Sequence, residues 1–128
     1  MEDRKKILIV ESDSCLRRAL SGLLSQNYFV SEALNAKEAL AMMASGNSFD
    51  LVITGREMPG GPLGEQLVRE VKSRFPAVKV IFMTEDFLPQ IINVARAAGA
   101  DGVVDKNFAY WQIETVIEEI FQLEASLN

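Results

Sequence analysis

The sequence predicts an α/β fold in which a parallel sheet is wound with helices. Short runs of β-branched and other apolar residues alternate five times with stretches of helical periodicity, and no low-complexity linker or internal repeat interrupts them. Of the 128 residues, 48% are hydrophobic and 24% are charged. This length and composition predict one domain over residues 1–128 whose core is large enough to be stable by itself.

The first half of the chain supplies three strands and two helices. Ile7-Leu8-Ile9-Val10 is apolar on both faces, as a central parallel strand should be. Asp13 or Ser14 can cap the helix that follows, because a short side-chain oxygen accepts from the free amides of a first turn. The next elements are a first helix with Leu16, Ala19, Leu20, Leu23 and Leu24 on one face, a strand from Tyr28 to Ala33, a helix with Ala36, Ala39, Leu40 and Met43 inward, and a strand from Leu51 to Thr54.

Glycine and proline mark the boundaries in the second half. Gly60-Gly61-Pro62 breaks the chain before the third helix, and Phe75-Pro76 ends that helix. Pro89 suits the first turn of the fourth helix, which Ala98-Gly99-Ala100 ends. The remaining assignments are Leu67, Val68 and Val71 on the inner face of the third helix, strand four from Val78 to Met83, strand five at Val103-Val104, and a last helix from about Ala109 to Ala125.

Charge and hydropathy exclude several kinds of partner. The formal net charge is -5, and no stripe of basic residues exists to neutralise a row of phosphates, so direct nucleic-acid binding is not expected. No apolar run approaches the roughly 20 residues of a membrane span, so we expect no membrane contact. Lone Cys15 rules out an internal disulfide. These features predict a cytoplasmic protein.

Enzyme chemistry finds little support in the residue types present. The sequence contains no histidine, which removes Ser-His and Cys-His pairs and histidine metal sites. It also contains no glycine-rich phosphate loop of the GxxxxGK type and no nucleophile elbow. We therefore expect that the chain is not an enzyme.

Five separate segments together resemble the receiver domain of bacterial response regulators, the phosphate-accepting module of two-component (phosphorelay) signalling. The resemblance covers nearly the whole chain. It implies a flavodoxin-like, doubly wound (βα)5 sandwich of three layers, with parallel strands in the order 2-1-3-4-5 and a site at their carboxyl ends. The segments are Ile7-Leu8-Ile9-Val10 before an acidic turn, Asn35-Ala36-Lys37-Glu38-Ala39-Leu40, Asp50 to Gly60, Thr84 after strand four, and Ala98-Gly99-Ala100-Asp101 before Lys106.

Gly55 stands where the resemblance implies the phosphate-accepting aspartate. Glycine has no side chain, so no acyl phosphate can form at this position. The chain is therefore identified as a degenerate receiver, and we expect its action to be independent of phosphorylation. The missing side chain is also expected to open space in the site.

The positions that would hold magnesium in such a receiver are altered as well. The resemblance implies two adjacent acids after strand one, here Glu11 and Ser12, together with the acceptor and a backbone carbonyl at Glu57. Glu11 against Lys106 sums to about zero charge, whereas a hard dication prefers several carboxylate oxygens. We expect weak or absent magnesium binding and no other metal or cofactor.

Thr84 and Lys106 match the hydroxyl and ammonium that grip the phosphoryl oxygens in working receivers. Glu85 follows Thr84 where a small residue is usual, and its carboxylate would repel an incoming anion. We expect Lys106 to form an ion pair with Glu11 or Asp105, the alternative being an anionic ligand. The acids that could crowd this rim, as solvated loop residues or around a cation, are Glu11, Asp13, Glu57, Glu85, Asp86 and Asp105.

A partner surface is predicted on helix four, strand five and helix five, the region that commonly forms the dimer or partner contact in receivers. The apolar stripe of the last helix leaves Trp111 on the far side, where we expect it to be at least partly exposed and either to belong to this surface or to lie flat over Phe108 or Tyr110. Phe121 at the edge of the stripe is a weaker candidate, and Val103 stands where a switch aromatic is common. The inward stripe consists of Ile113, Val116, Ile117, Ile120, Leu123 and Leu127.

Two functions of different classes follow from these residues. The first is a protein-interaction or dimerisation module in two-component signalling. The second is a sensor of a small ligand or ion in the pocket around Lys106, Thr84 and Ser12.

Overall fold

A computed structural model of the chain describes residues 4–58 and 62–127. Five strands form one parallel sheet in the order β2-β1-β3-β4-β5. The strands are β1 Lys6–Val10, β2 Phe29–Ala33, β3 Leu51–Gly55, β4 Lys79–Thr84 and β5 Gly102–Asp105. The helices are α1 Ser14–Leu24, α2 Ala36–Ala44, α3 Gly64–Arg74, α4 Pro89–Ala98 and α5 Ala109–Leu127, with a 3-10 turn at Lys106–Phe108 before α5.

Two apolar layers hold the helices against the sheet, because successive side chains of a strand point to opposite faces. Phe82 lies in the layer with α2, α3 and α4, whereas its neighbours Ile81 and Met83 lie in the layer with α1 and α5. Both faces of the central strands are therefore buried, which explains their nearly continuous apolar sequence. The doubly wound, three-layer fold predicted from the sequence is confirmed.

The register of the parallel strands brings their carboxyl ends to one edge. Val10 pairs with Thr54, Gly55 with Met83, and Thr84 with Asp105. The residues that follow β1 and β5 therefore lie at the same edge as the last residues of β3 and β4. This is the edge at which sheets of this kind place their sites.

Local signals in the sequence explain where several helices begin and end. The Asp13 side chain caps α1, accepting from the amides of Cys15 and Leu16 at 2.9 and 3.2 Å. Pro89 opens α4, and Gly99 ends it with a φ of 116°, a left-handed conformation that glycine adopts without strain. The predicted break at Gly60-Gly61-Pro62 lies at residues 60 and 61 outside the described part of the chain.

Element ends differ from the sequence prediction by a residue or two. The second strand begins at Phe29, one residue after Tyr28, and the fourth at Lys79, one residue after Val78. The third strand extends through Gly55 and the fourth through Thr84, because their ladders continue in register to the carboxyl edge. The last helix runs to Leu127, past the predicted end at Ala125.

The predicted inward stripe of α5 is confirmed as far as Ile120 and is wrong at Leu123, whereas the side chain of Leu127 lies outside the described residues. Ile113 and Ile117 are fully buried and Val116 and Ile120 are half-buried, but the Leu123 side chain is 64% exposed. Ten residues after Ile113, a helix has turned about 80° short of a whole number of turns, so Leu123 lies at the margin of the stripe. In the described part of the chain, no helix is both long and apolar enough to span a membrane.

Candidate functional site

Glu11 is the first residue after β1, and its backbone is fixed on two sides. Its amide donates to the carbonyl of Ala33 at the end of β2, at 3.1 Å. Its carbonyl accepts from Nη1 of Arg17 on α1 at 2.8 Å, and the same guanidinium pairs with Glu32 through Nε at 2.8 Å. The residue is completely buried. Strand β2 and helix α1 together therefore fix the position of the Glu11 backbone, from which its side chain extends.

The carboxylate of Glu11 forms an ion pair across the carboxyl edge of the sheet. Its Oε2 accepts from Nζ of Lys106 at 3.2 Å and from the amide of Asp13 at 2.8 Å. Of the two partners predicted for Lys106, the structure shows Glu11. The Asp105 carboxylate instead accepts from the backbone amide of Asn107 at 3.0 Å and begins the 3-10 turn.

The space beside the backbone of Gly55 is occupied by the side chain of Glu11. A β-carbon built on Gly55 would lie 2.5 Å from Glu11 Oε1 and 3.3 Å from Glu11 Cδ. Both distances are shorter than an ordinary contact between a β-carbon and its neighbour. The expectation that Gly55 opens space is therefore wrong, because the longer side chain of Glu11 reaches into that space from the neighbouring strand.

One oxygen of this buried carboxylate lacks a hydrogen-bond donor. Within the described residues Glu11 Oε1 is buried without a partner, while Oε2 has two. A buried polar atom without a partner costs stability, and the cost is larger when the group is charged. The unpartnered oxygen is the one that faces Gly55.

A cavity of about 480 Å³ opens beside this pair at the ends of the strands. It brings together Ser12, Thr84 and Lys106, as the sequence predicted, and Glu57 also lines it. Its wall combines charges of both signs with apolar side chains. The remaining lining residues are Arg56, Met58, Leu63, Met83, Glu85 and Asp86.

The loop acids of the site are engaged with the protein or exposed to water. Thr84 is buried, and its Oγ1 accepts from the amide of Asp86 at 3.1 Å. Arg56 lies 3.4 Å from the Asp86 carboxylate and 3.6 Å from that of Glu65. Glu57 and Glu85 are exposed. Glu57, Glu85 and Asp86 therefore match the prediction of solvated loop acids, whereas Glu11, which was predicted with them, is completely buried.

The side chains at this edge offer few of the ligands that a magnesium ion prefers. Positions 12 and 55 carry serine and glycine, neither of which supplies a carboxylate, and one oxygen of the Glu11 carboxylate is paired with Lys106. Among the described residues no group of three or more metal-ligating side chains is arranged around a common point. Glu11 Oε1 has no donor among these residues, so this carboxylate offers a hard dication one free oxygen, whereas such an ion prefers several.

The predicted surface residues have different surroundings. Trp111 is 79% exposed, and the ring of Tyr110 meets it edge-on at 5.3 Å and 88°, so the predicted exposure is confirmed and the flat packing is not. Val103 is half-buried against the layer of α4. Phe121 is half-buried and contacts Tyr28, which precedes β2 at the opposite edge of the sheet from β5. The prediction of Phe121 on the same surface is thus corrected, because it lies on the margin of α5 that faces α1.

Two arginines of the site escaped sequence reasoning. Arg17 is buried and holds the carbonyl of Glu11, and Arg56 lines the cavity. A signal for Arg17 existed, because it stands three and seven residues before the buried Leu20 and Leu24, at the spacing of an inward helix face. No comparable spacing marks Arg56.

Comparisons with known proteins agree with this fold. The sequence pattern described as "Response regulator receiver domain" matches residues 7–118. The chain is similar to the chemotaxis protein CheY of Pseudomonas aeruginosa, with 36% identity over 121 residues that cover 91% of this chain and 96% of that protein. It is also similar to the response regulator protein FleR of the same species, with 35% identity over 102 residues that cover 77% of this chain but 21% of FleR.

Solved structures show the same fold. The N-terminal domain of a response regulator/sensory box/GGDEF 3-domain protein from Carboxydothermus hydrogenoformans superposes with a TM-score of 0.84 and is 27% identical. The match covers 97% of this chain and 100% of that one.

Proposed function

The chain belongs to the response regulator receiver domain family of two-component signalling, and from that premise we propose that it acts as a protein-interaction module independent of aspartyl phosphate. The observation that carries the proposal is the occupied place beside Gly55. A phosphoryl group needs a carboxylate to accept it and room around that carboxylate. Position 55 offers no carboxylate, and Glu11 fills the adjacent room.

The module acts through the surface of α4, β5 and α5, with a protein partner or a second copy of the chain as the occupant. Trp111 is the centre of this surface, because exposed tryptophans are enriched among residues that dominate binding energy. Phe108 is 53% exposed in the turn before α5, and Phe87 and Leu88 are 44% and 48% exposed before α4. We place this action in the cytoplasm, without catalysis and without direct contact to nucleic acid or membrane.

A ligand sensor in the cavity is the less favoured function. Lys106 and Thr84 line the cavity, but the Lys106 ammonium is held by Glu11 and the Thr84 hydroxyl by the loop after β4. A ligand that needs these groups would first have to release them. A thermal-shift screen addresses this function, since a ligand at 100 times its dissociation constant stabilises by about 2.7 kcal/mol.

Phosphorylation independence is tested by intact-mass spectrometry after incubation with acetyl phosphate and magnesium. We expect no adduct with the mass of a phosphoryl group. We also expect none in the Gly55→Asp variant, because Glu11 still fills the adjacent space and Ser12 and Glu85 still weaken the binding of metal and phosphoryl group. An adduct formed stoichiometrically and only with magnesium would overturn the proposal.

The surface is tested by binding without any phosphodonor. Sedimentation velocity reports self-association, and titration with candidate partners of two-component systems reports heterologous binding. Trp111→Ala should weaken the complex, whereas Leu123→Ala should leave it intact and serves as the control, since Leu123 is an exposed apolar residue of the same helix. A complex of unchanged affinity in the Trp111→Ala variant would contradict the assignment of the surface.

A further inference from the structure

The ion pair between Lys106 and Glu11 links the carboxyl ends of β5 and β1. Glu11 follows β1 and Lys106 follows β5, and β3 and β4 lie between them in the sheet. The pair is therefore a tie across the carboxyl edge, where parallel strands have no further ladder bonds to one another. No other ion pair recorded among the described residues joins the ends of β1 and β5 in this way.

From this geometry we infer that Glu11 replaces the acceptor carboxylate as the permanent partner of Lys106 and thereby fixes the turn that starts α5. The inference deepens the proposed function and rests on it, because it supplies the contact that sets the surface without a phosphoryl group. The carboxylate comes from strand β1 instead of strand β3, but it reaches the place where a side chain at position 55 would begin.

Glu11 is suited to this role because its own position is fixed. The hydrogen bond from its amide to the carbonyl of Ala33 and the guanidinium of Arg17 fix its backbone, and the amide of Asp13 donates to Oε2. Strand β2, helix α1 and the turn before α1 therefore orient the carboxylate independently of Lys106. Such a preset partner loses little side-chain freedom on pairing, so it fixes the lysine more effectively than a flexible surface acid would.

Lys106 passes this constraint directly to the interaction surface. It is the first residue of the 3-10 turn Lys106–Phe108, which continues without a break into α5. Ala109 is completely buried, so the start of α5 packs against the sheet in a defined position. Trp111 and Phe108 project from this same turn and first helical residues. Holding Lys106 therefore holds the backbone that carries the exposed aromatic residues.

The occupancy of the place beside Gly55 is tested by the effect of Gly55→Ala on the urea midpoint, which should change sign when the Glu11 carboxylate is removed. Among the described residues the glycines with positive φ are Gly46 and Gly99, so the backbone of Gly55 accepts alanine. In a strand, alanine should raise the urea midpoint relative to glycine. In the natural sequence Gly55→Ala should instead lower the midpoint, because the new β-carbon displaces the Glu11 carboxylate. In a Glu11→Ala background the same substitution should raise it.

Two results would overturn the occupancy. The first is a Gly55→Ala variant with a raised midpoint in the natural sequence, and the second is a shift of the same sign and size in both backgrounds. If Glu11→Ala does not fold, Glu11→Asp is used as the background, since it shortens the side chain by one methylene and keeps its charge.

The constraint on α5 is tested by amide hydrogen exchange of the isolated chain. Glu11→Gln removes the ion pair with little change in shape, and exchange over residues 106–111 should rise about tenfold relative to β1. Lys72→Met is the matched control, because it breaks the Lys72–Asp101 pair at the other end of β5. Unchanged exchange in Glu11→Gln, or an equal rise in the control, would contradict the inference.

These tests distinguish this inference from the proposed function. Both are made without phosphodonor, metal or partner. A phosphoryl adduct on the natural chain would overturn the proposed function while leaving the sign reversal at Gly55 unaffected. If the effect of Gly55→Ala on the urea midpoint did not change sign, the inferred role of Glu11 would be refuted. The proposed independence of phosphorylation would then depend only on the absence of a carboxylate at position 55.

Discussion

Two lysine–carboxylate pairs lie at the two ends of β5, and they differ in what surrounds the carboxylate. At the amino end, Asp101 Oδ2 accepts from Lys72 Nζ at 2.8 Å and from the amide of Val80 at 2.9 Å. At the carboxyl end, Glu11 Oε2 accepts from Lys106 Nζ at 3.2 Å. The side chains of Lys72 and Asp101 are 22% and 26% exposed, whereas that of Glu11 is 0% exposed.

A similar ion pair therefore contributes differently to stability at the two ends of β5. Water still solvates the pair at the amino end, and the backbone carbonyl of Val78 also accepts from Lys72 at 3.0 Å. The carboxyl-end pair is taken out of water on the Glu11 side and leaves one oxygen without a donor. A buried pair of this kind adds little net stability. Removal of one partner, however, leaves the other charge buried without compensation, which lowers the stability of the fold.

The largest effect is expected from Lys106→Met. The substitution strands the buried carboxylate of Glu11 and should lower the free energy of unfolding by about 3 kcal/mol. Urea denaturation at neutral pH measures it. The double variant Lys106→Met, Glu11→Leu removes both charges and should recover most of the loss. A double variant no more stable than Lys106→Met would show that the burial of Glu11 is not the cause.

The second effect concerns the backbone anchor of the carboxyl-end pair. Arg17→Met removes the guanidinium from the buried carbonyl of Glu11 and from Glu32, and it should cost about 2 kcal/mol because a charged hydrogen bond is lost at a buried acceptor. Arg18→Met is the control, since Arg18 is exposed on the same helix. Equal urea midpoints for the two variants would refute a structural role for Arg17.

Lys72→Met at the amino end should have a smaller effect than either. The pair is partly solvated, so its loss should cost about 1 kcal/mol. A cost equal to that of Lys106→Met would remove the distinction between the two ends of β5. The same urea titrations compare both variants under one condition.

The smallest effect concerns the ionisation of Tyr28, which adds to the pH dependence of stability when variants of Lys72 and Lys106 are compared at alkaline pH. Burial, followed by the charges of Glu118 and Glu114, raises the pKa of Tyr28 above its ordinary 10.0. The folded chain then keeps the phenol proton to higher pH than the unfolded chain, so stability should decline as pH rises from 10.0 towards the raised pKa. Tyr28→Phe should remove this decline, and a decline of unchanged slope would contradict the assignment.

Most of the fold follows from local patterns in the sequence. Apolar runs and the turn residues around Pro89 and Gly99 are sufficient to find all five strands and five helices, because burial on both faces leaves few polar residues in a strand. The ends of the strands were missed by a residue or two. Gly55 and Thr84 belong to their strands because the neighbouring strand offers a ladder partner, and that depends on register rather than on residue type.

The members of the site and the Glu11–Lys106 ion pair were predictable, but the position of the Glu11 carboxylate beside Gly55 was not. Strand order brings Glu11, Thr84 and Lys106 to one edge, and the resemblance to receivers names them. Whether the Glu11 side chain would enter the place beside Gly55 depends on its rotamer, and spacing along the chain does not encode a rotamer. The Arg17 contact was missed for a related reason, since a long flexible side chain can point outward or fold back onto a carbonyl.

The occupied space beside Gly55 has a consequence for engineering the site. An aspartate introduced at position 55 by one substitution would meet a second carboxylate in the same buried space. The single variant should therefore be less stable than the natural chain unless position 11 is changed first. The order in which the two substitutions are made, rather than their number, decides whether the intermediate protein remains stable.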